Sequence, residues 1–221
     1  MGLALLLITA STASAEWQGG IEGGTEIRES GAATRLTLTL SNNVRPLSHH
    51  ISADWIRDAS GGNGYRIGYL PRYWITDTIY GFAEGRYRVD EPIGITGEAR
   101  LLTGAGLLWT PAKNAVVSAE AAIGGRRLEL DNIFGNDTVE SEALGVLRAG
   151  ASISLLGAVK LDTTADIAGS ADRVDGITEA GISVLIPGGS LRYAVQSRWL
   201  NIDGGDTTRV SESFISYGYR F

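Results

Sequence analysis

Side chains that commonly perform catalysis are scarce in this 221-residue chain. It contains no cysteine, which excludes disulfides, thiolate nucleophiles and cysteine-based metal sites. Its only two histidines, His49 and His50, are adjacent, and neither is followed by a nucleophile at the spacing that a hydrolytic pair would need. We therefore expect no enzymatic activity, no catalytic residue and no cofactor.

Carboxylates offer two other kinds of chemistry. Glu140 and Glu142 could form an acid–base pair, but the many arginines expected nearby favour cross-strand ion pairs. Asp131 and Asn132 with Asn136 and Asp137 could hold a divalent cation, yet their spacing does not match a calcium-binding loop. We therefore predict no metal site, and the net charge of −6 disfavours nucleic-acid binding.

The elements that carry these residues are strands, because apolar and polar residues alternate with a period of two along most of the chain. The final segment, SESFISYGYRF, places Ile215, Tyr217, Tyr219 and Phe221 on one face. The same pattern predicts twelve strands in the whole chain. Their predicted bounds are Trp17–Glu26, Ala33–Ser41, His49–Arg57, Tyr65–Tyr73, Thr78–Val89, Glu98–Trp109, Ala115–Arg126, Glu140–Leu155, Ala158–Ala168, Gly176–Ile186, Ser190–Asn201 and Val210–Phe221.

An outer-membrane β-barrel accounts for an aromatic final strand, because that strand closes the barrel and its aromatic side chains lie at the membrane interface. The connections after even-numbered strands are short, and those after odd-numbered strands are mostly longer and more polar. We predict an all-β, up-and-down antiparallel transmembrane barrel of about twelve strands, with short periplasmic turns, longer extracellular loops and both termini periplasmic. Ten or fourteen strands are the alternatives, because residues 169–175 and the long eighth strand can be divided differently.

The N-terminal segment agrees with export. Residues 1–15, MGLALLLITASTASA, are apolar and uncharged and end in Ala13-Ser14-Ala15, a small-x-small cleavage pattern. This segment is too short to span a bilayer as a helix. We predict a signal peptide over 1–15, although no basic residue precedes its apolar run, and a single barrel domain over 16–221.

The alternation sorts aromatic and aliphatic residues on the predicted outer face. Two aromatic girdles are expected, one at each membrane interface. The short-turn girdle contains Trp17, Tyr73, Trp74, Trp109, Tyr217, Tyr219 and Phe221, and the long-loop girdle contains Trp55, Tyr65, Tyr87 and Trp199. Small and aliphatic residues are predicted between them, including Leu36, Leu38, Leu101, Ala119, Ala121, Leu161 and Ile182.

Charges are sorted in the same way. Bases and acids fall on the inward faces in matched numbers, so the predicted lumen is neutral and the net charge of −6 falls on the extracellular connections. The candidate lumen-lining residues are Arg35, Arg66, Arg72, Glu84, Arg86, Arg88, Glu98, Arg100, Glu120, Arg126, Arg148, Arg192 and Arg198. The candidate extracellular acidic rim consists of Asp90, Glu91, Asp131, Asp137, Asp172, Asp175, Asp203 and Asp206.

Three segments carry a family resemblance. The segments EWQGGIEGGTEIRESGAATRLTLTLS, YRIGYLPRYWITDTIYGFAEGRYRVD and LLTGAGLLWT resemble the YdiY-like salt-induced outer-membrane proteins, a family of uncharacterised barrels. The resemblance implies a barrel in the outer membrane and no particular substrate or reaction. Phe221, with Tyr219 and Tyr217 before it, also resembles the C-terminal signal that the barrel-assembly machinery reads, so this machinery is an expected partner.

These observations favour a narrow, weakly selective channel for small hydrophilic solutes or ions. The first alternative is a non-conducting structural or envelope-stress barrel whose lumen is plugged by ion pairs. The second is an outer-membrane lipid-modifying enzyme. In each case we expect a monomer in contact with outer-membrane lipid and lipopolysaccharide.

Overall fold

The computed structural model describes residues 17–28, 31–58, 61–91, 95–130, 138–155, 157–171, 173–202 and 208–221. Twelve antiparallel strands form one closed barrel, and each strand pairs with its neighbours in the sequence. No helix in the described ranges is long and apolar enough to cross a membrane. The strands are β1 (Gln18–Arg28), β2 (Gly31–Asn42), β3 (Leu47–Asp58), β4 (Asn63–Trp74), β5 (Ile79–Asp90), β6 (Ile95–Ala112), β7 (Ala115–Leu130), β8 (Thr138–Leu155), β9 (Val159–Gly169), β10 (Arg173–Ile186), β11 (Gly189–Ile202) and β12 (Thr208–Arg220).

The barrel closes where β1 pairs with β12. This seam runs from Gly20 opposite Arg220 to Ile27 opposite Ser213. Beyond it, the amide of Gly19 donates to the carbonyl of Phe221 (2.8 Å), and the Phe221 amide donates back to Gly19 (3.0 Å). Closure leaves no open sheet edge along the seam, and the predicted fold class, strand number and strand order are confirmed.

The strands extend beyond their predicted bounds, mostly at the end of the barrel where β1 finishes and β2 begins. Two long connections, residues 131–137 and 203–207, lie at that end, but the other connections there are as short as those at the opposite end. The barrel wall is also uneven in height: β6 and β8 have 18 residues each. Because β9 ends at Gly169, opposite Gly145, the first residues of β8 rise above it and pair only with β7.

The outer surface is apolar. Leu101, Ile123 and Leu147 are exposed at the middle of their strands, where the sequence pattern predicts contact with lipid. The remaining aliphatic positions predicted to face outward are exposed as well, namely Leu36, Leu38, Ala119, Ala121, Leu161 and Ile182. Most predicted girdle aromatics lie on this surface, namely Trp17, Trp55, Tyr65, Tyr73, Tyr87, Trp109, Tyr217, Tyr219 and Phe221.

Trp74 differs from its prediction as a girdle residue. It lies on the same face of β4 as Arg72, its indole N–H donates to Ser48 Oγ (3.1 Å), and its ring centroid lies 4.8 Å from that of Tyr80. Because Trp74 comes two residues after the inward-facing Arg72 on the same strand, its side chain also points into the barrel. Two other aromatics, Tyr69 and Tyr193, are exposed nearer the strand centres, so aromatic residues are not confined to the two ends.

An apolar cluster fills part of the barrel interior. Tyr80, Phe82, Leu102, Leu144 and Val146 are buried there, on β5, β6 and β8, with Ala122, Ala168 and the partly buried Leu70, Trp74 and Leu108 around them. Gly106 lies directly under the Tyr80 ring, where any side chain would collide with it. The cluster shows that one side of the lumen is packed like a protein core.

Candidate functional site

A buried carboxylate links three arginines above the apolar cluster. Glu84 accepts hydrogen bonds from Arg100 and lies in ion-pair contact with Arg86 and Arg148. The nitrogen–oxygen distances are 2.7 Å, 3.3 Å and 2.6 Å, respectively. Three guanidinium groups therefore surround one buried carboxylate and compensate its charge inside the barrel.

Arg148 extends this network across the lumen. In addition to Glu84, it contacts Glu120 (3.3 Å) and Asp166 (2.9 Å), so residues of β5, β7 and β9 meet at one guanidinium of β8. Glu120 also accepts hydrogen bonds from the Tyr80 hydroxyl (2.7 Å) and from Arg72 (3.1 Å). The charged network and the apolar cluster therefore share Tyr80 and form one packed body on the β4–β8 side.

Smaller ion pairs line the rest of the wall. Asp54 accepts hydrogen bonds from Arg35 (3.2 Å) and Thr37 (2.7 Å), and Arg66 approaches to 4.0 Å. Further along the barrel, Arg88 pairs with Glu98 at 2.5 Å. Such pairs agree with the prediction that inward charges form cross-strand ion pairs.

The opposite side of the lumen is hollow. A cavity of about 740 Å³ lies at the end of the barrel formed by the connections after even-numbered strands. Its wall carries many hydroxyl groups and several charges. Lining residues include Thr37, Thr39, Ser118, Ser152, Ser183, Lys160 and Arg220. A space of this size with this lining suits water and small polar solutes.

A second cavity, of about 120 Å³, lies beside the first and shares Glu22, Thr37 and Arg192 with it. Arg35, Glu179 and Phe214 also line it. The guanidinium carbons of Arg35 and Arg192 lie 5.6 Å and 5.2 Å from the centroid of the Phe214 ring. We call this narrow cavity the constriction.

The constriction is held by hydrogen bonds on two sides. Arg192 donates to Asp162 (2.8 Å) and to Glu179 (2.6 Å), which fixes the guanidinium beside Phe214. On the seam side, Ser216 donates to Glu22. Gly24 contributes only backbone there, and a side chain at that position would collide with Ser216. Strands β1, β2, β10, β11 and β12 thus build the constriction together.

The candidate lumen-lining residues fall into three groups. The structure brings Arg72, Glu84, Arg86, Arg100, Glu120 and Arg148 into the packed body, and it places Arg35 and Arg192 at the constriction. The other residues line the wall as ion pairs or single charges, namely Arg66 with Asp54, Arg88 with Glu98, Arg126 with Glu142, and Arg198 on the same face of β11 as Arg192.

The candidate acidic rim is only partly described. Asp90 ends β5, and Glu91 follows it and accepts a hydrogen bond from the amide of Asn63 (3.1 Å). Asp175 is not a rim residue: it lies within β10, where a carboxylate oxygen comes within 3.9 Å of Arg126 in the lumen. The other predicted rim residues lie outside the described ranges, namely Asp131, Asp137, Asp172, Asp203 and Asp206.

Sequence reasoning missed the aromatic residues of the lumen. Phe214 lies on the same face of β12 as Ser216, which alternation along SESFISYGYRF requires, and Tyr80 and Phe82 follow the face of Glu84 in the same way. Alternation places these aromatic side chains inward, whereas the sequence analysis predicts charged and polar residues there. Large inward side chains decide where the lumen is closed.

The histidines also have partners that the sequence did not indicate. His50 Nδ1 lies 2.8 Å from Ser41 Oγ, directly opposite on β2. Among the described residues, no carboxylate hydrogen bond completes this pair as a catalytic triad. His49 faces outward, stacked between Trp17 and Tyr69, with Nδ1 2.9 Å from the Tyr69 hydroxyl.

Solved structures of outer-membrane channels are similar to this barrel. The KdgM porin has a TM-score of 0.60 at 10% identity, with 91% of this chain and 99% of that chain covered. The NanC porin has a TM-score of 0.60 at 8% identity, covering 91% and 98%. An outer membrane channel from Pseudomonas putida F1 has a TM-score of 0.54 at 8% identity, covering 96% and 97%.

At these identities the similarity establishes the fold, which is that of outer-membrane porins. The named neighbours are channels rather than enzymes. No protein-family model and no curated protein matches the chain. Membership of the YdiY-like family therefore stays a prediction.

Proposed function

We propose that the protein is a narrow, weakly selective outer-membrane channel for small hydrophilic solutes or ions. The observation that carries this proposal is that the 740 Å³ cavity and the constriction lie side by side and share Glu22, Thr37 and Arg192 in their walls. Barrels of eight strands are filled by side chains and barrels of sixteen hold an open pore. Because only one side of this twelve-stranded barrel is packed, the other side leaves room for a path of intermediate width.

The size of the constriction sets the scale of the solute. Its volume of about 120 Å³ equals that of roughly four water molecules in the liquid. A solute of a few heavy atoms fits in this volume. The lining of guanidinium, carboxylate and hydroxyl groups replaces part of the water that such a solute loses on entry.

Single-channel recording of the purified full-length protein in planar bilayers tests this proposal. The Phe214→Ala variant removes the ring between Arg35 and Arg192, so we expect larger conductance steps than in the parent protein. Phe82→Ala is the matched control, because Phe82 is an equally buried lumen-facing phenylalanine that lines neither cavity. Equal step sizes in the Phe214→Ala variant and the parent would contradict a path past Phe214.

The second candidate function is a non-conducting structural or envelope-stress barrel. The network around Glu84 and Arg148 favours it, because these groups fill the lumen between β5 and β8. If folded parent protein and folded Phe214→Ala variant both gave no conductance steps, this function would replace the channel.

The orientation and assembly of the barrel belong to the same proposal. We place both termini in the periplasm, with the acidic rim outside, where its carboxylates bridge through Mg²⁺ or Ca²⁺ to lipopolysaccharide phosphates. The barrel-assembly machinery inserts the chain by its final strand, and the folded protein is a monomer. Protease accessibility of a tag inserted within 131–137 in intact cells checks the orientation.

A further inference from the structure

Three hydroxyl groups that line the 740 Å³ cavity lie directly opposite a glycine on a neighbouring strand, and these glycines line the cavity as well. Because glycine has no side chain, it offers the hydroxyl group no side-chain partner across the strand pair. We call these the hydroxyl–glycine pairs. They are Thr39 with Gly20, Ser118 with Gly150, and Ser190 with Gly218.

The glycines keep the space beside these hydroxyl groups open. A β-carbon at position 150 would lie 2.9 Å from Ser118 Oγ, and one at position 20 would lie 3.2 Å from Thr39 Oγ1. At position 218 the corresponding distance to Ser190 Oγ is 3.4 Å. The first two distances are shorter than ordinary van der Waals contact, so even alanine would crowd the hydroxyl group that a solute has to reach.

Hydroxyl groups at the constriction are used differently. Thr37 donates to Asp54 at 2.7 Å, and Ser216 donates to Glu22. Both hydroxyl residues line the constriction, where they hold carboxylates in place. In the hydroxyl–glycine pairs no carboxylate lies across the strand pair, so the hydroxyl group keeps its donor and its acceptor lone pairs for a solute.

The hydroxyl–glycine pairs surround the cavity. In a closed barrel of twelve strands, strands six positions apart lie on opposite sides, so the pair on β1 and β2 lies opposite the pair on β7 and β8. Thr39 lies three residues before the end of β2 at Asn42, and Ser118 lies three residues after the start of β7 at Ala115. Ser190 directly follows the first residue of β11 at the same end of the barrel. A solute that enters this end therefore meets a hydroxyl group on three sides.

We propose that this cavity binds small neutral polyhydroxylated solutes, such as sugar alcohols, and that the channel admits them faster than solutes of equal size with fewer hydroxyl groups. This inference rests on the proposed channel function. Each hydroxyl group of a polyol both donates and accepts, as the hydroxyl groups of the wall do, so the wall replaces hydrogen bonds that the solute loses with water. An ether oxygen only accepts, so a glycol ether of the same size regains fewer hydrogen bonds.

The charges of the cavity are compatible with a neutral solute. Arg192 is held by Asp162 and Glu179. Lys160 and Arg220 also line the cavity and add further hydrogen-bond donors near the strand ends. A neutral polyol gives up no ionic hydration on entry, so hydrogen bonds of ordinary strength are enough to favour it.

Liposome swelling with the purified full-length protein tests the inference with two neutral solutes of nearly equal size. Erythritol carries a hydroxyl group on every carbon, whereas diethylene glycol carries them only at its ends, with an ether oxygen between. After subtraction of the rate in protein-free liposomes, we expect erythritol to enter about two- to fivefold faster, the ratio that one net hydrogen bond supplies. Entry of neither solute would contradict the channel itself, whereas equal rates or faster entry of diethylene glycol would overturn this inference alone.

The triple variant Thr39→Val/Ser118→Ala/Ser190→Ala removes the three hydroxyl groups with little change in volume. We expect it to lose the preference for erythritol and to keep the parent's rate for diethylene glycol. Ser52→Ala is the matched control, because Ser52 lies opposite Gly68 in the same way but lines neither cavity. The control should keep the full preference.

A preference for erythritol that survives in the triple variant, or that is lost in Ser52→Ala, would overturn the inference. Heat-modifiable migration on gels checks that each variant folds. If the triple variant does not fold, the single variants Thr39→Val, Ser118→Ala and Ser190→Ala replace it. Each single variant should then lower the preference, and an unchanged preference in all three would overturn the inference.

Discussion

Both sides of the lumen follow the same alternating sequence pattern, but one side is packed and the other is hollow. On β4–β8 the inward positions carry large side chains, such as Tyr80, Phe82 and Leu102, and the interior is packed. Around the 740 Å³ cavity, which is lined by β9–β12, β1, β2 and the ends of β7 and β8, they carry many serine, threonine and glycine residues beside a few charges, and the interior is hollow. A twelve-stranded barrel is wide enough that strand number alone does not decide whether it fills. The size of the inward side chains decides it.

We expect the packed side to determine the stability of the barrel and the hollow side to determine permeation. Buried ion pairs in the packed body stabilise little by themselves, but removing one partner leaves buried charges unpaired. On the hollow side the ion pairs are more exposed, as with Arg192 and Asp162 at 19% each, so breaking one should cost less. Substitutions on the packed side should therefore change the free energy of unfolding, and substitutions on the hollow side should change permeation.

The largest effect is expected from Arg148→Met. This change leaves Glu84, Glu120 and Asp166 without a shared cation. We expect the free energy of unfolding to fall by about 3–5 kcal/mol, measured by guanidinium titration of the protein in lipid vesicles. The control is Lys160→Met on the hollow side, which should cost less than about 0.5 kcal/mol. An equal loss of unfolding free energy in both variants would contradict the difference between the packed and the hollow side.

The second effect tests the apolar part of the packed body. Leu102→Ala should lower the free energy of unfolding by about 2–4 kcal/mol, because Leu102 is almost fully buried in the cluster. Its channel conductance should match that of the parent, since Leu102 lines neither cavity. A conductance increase equal to that of Phe214→Ala would mean that solute also passes through the packed side.

The smallest effect concerns the acidic rim. We expect a modest preference for cations at low salt that disappears at high salt, because charges at a wide mouth are screened over about 8 Å at physiological ionic strength. Neutralising Asp90, Glu91, Asp203 and Asp206 together should abolish it, and Asp77→Asn should do little. An anion preference at low salt would indicate that lumen arginines such as Arg86, and not the rim carboxylates, determine ion selectivity.

Period-two alternation was sufficient to predict the barrel. Twelve strands, their order and their inward and outward faces follow from local patterns, and the final aromatic strand predicts closure. The predicted bounds differ from the observed ones by four residues at most, as at Leu130, because β7 and β8 continue to pair beyond the predicted end.

The contents of the lumen could not be predicted in the same way. Arg148 and Glu84 lie on strands that do not touch in the sheet, so their contact depends on the curvature of the barrel and not on any sequence spacing. Asp175 shows a second limit. Its segment is small and polar like a loop, but pairing from Arg173 with Ile202 extends β10 through it.

The seam between β1 and β12 joins the two ends of the described chain, and the hydrogen bond from Ser216 to Glu22 spans 194 positions. Contacts of such long range are the slowest to form, because nearly the whole chain must be ordered first. Glu22, Phe214 and Ser216 are also walls of the constriction. The constriction therefore exists only when the seam is closed, and a barrel open between β1 and β12 would lack it.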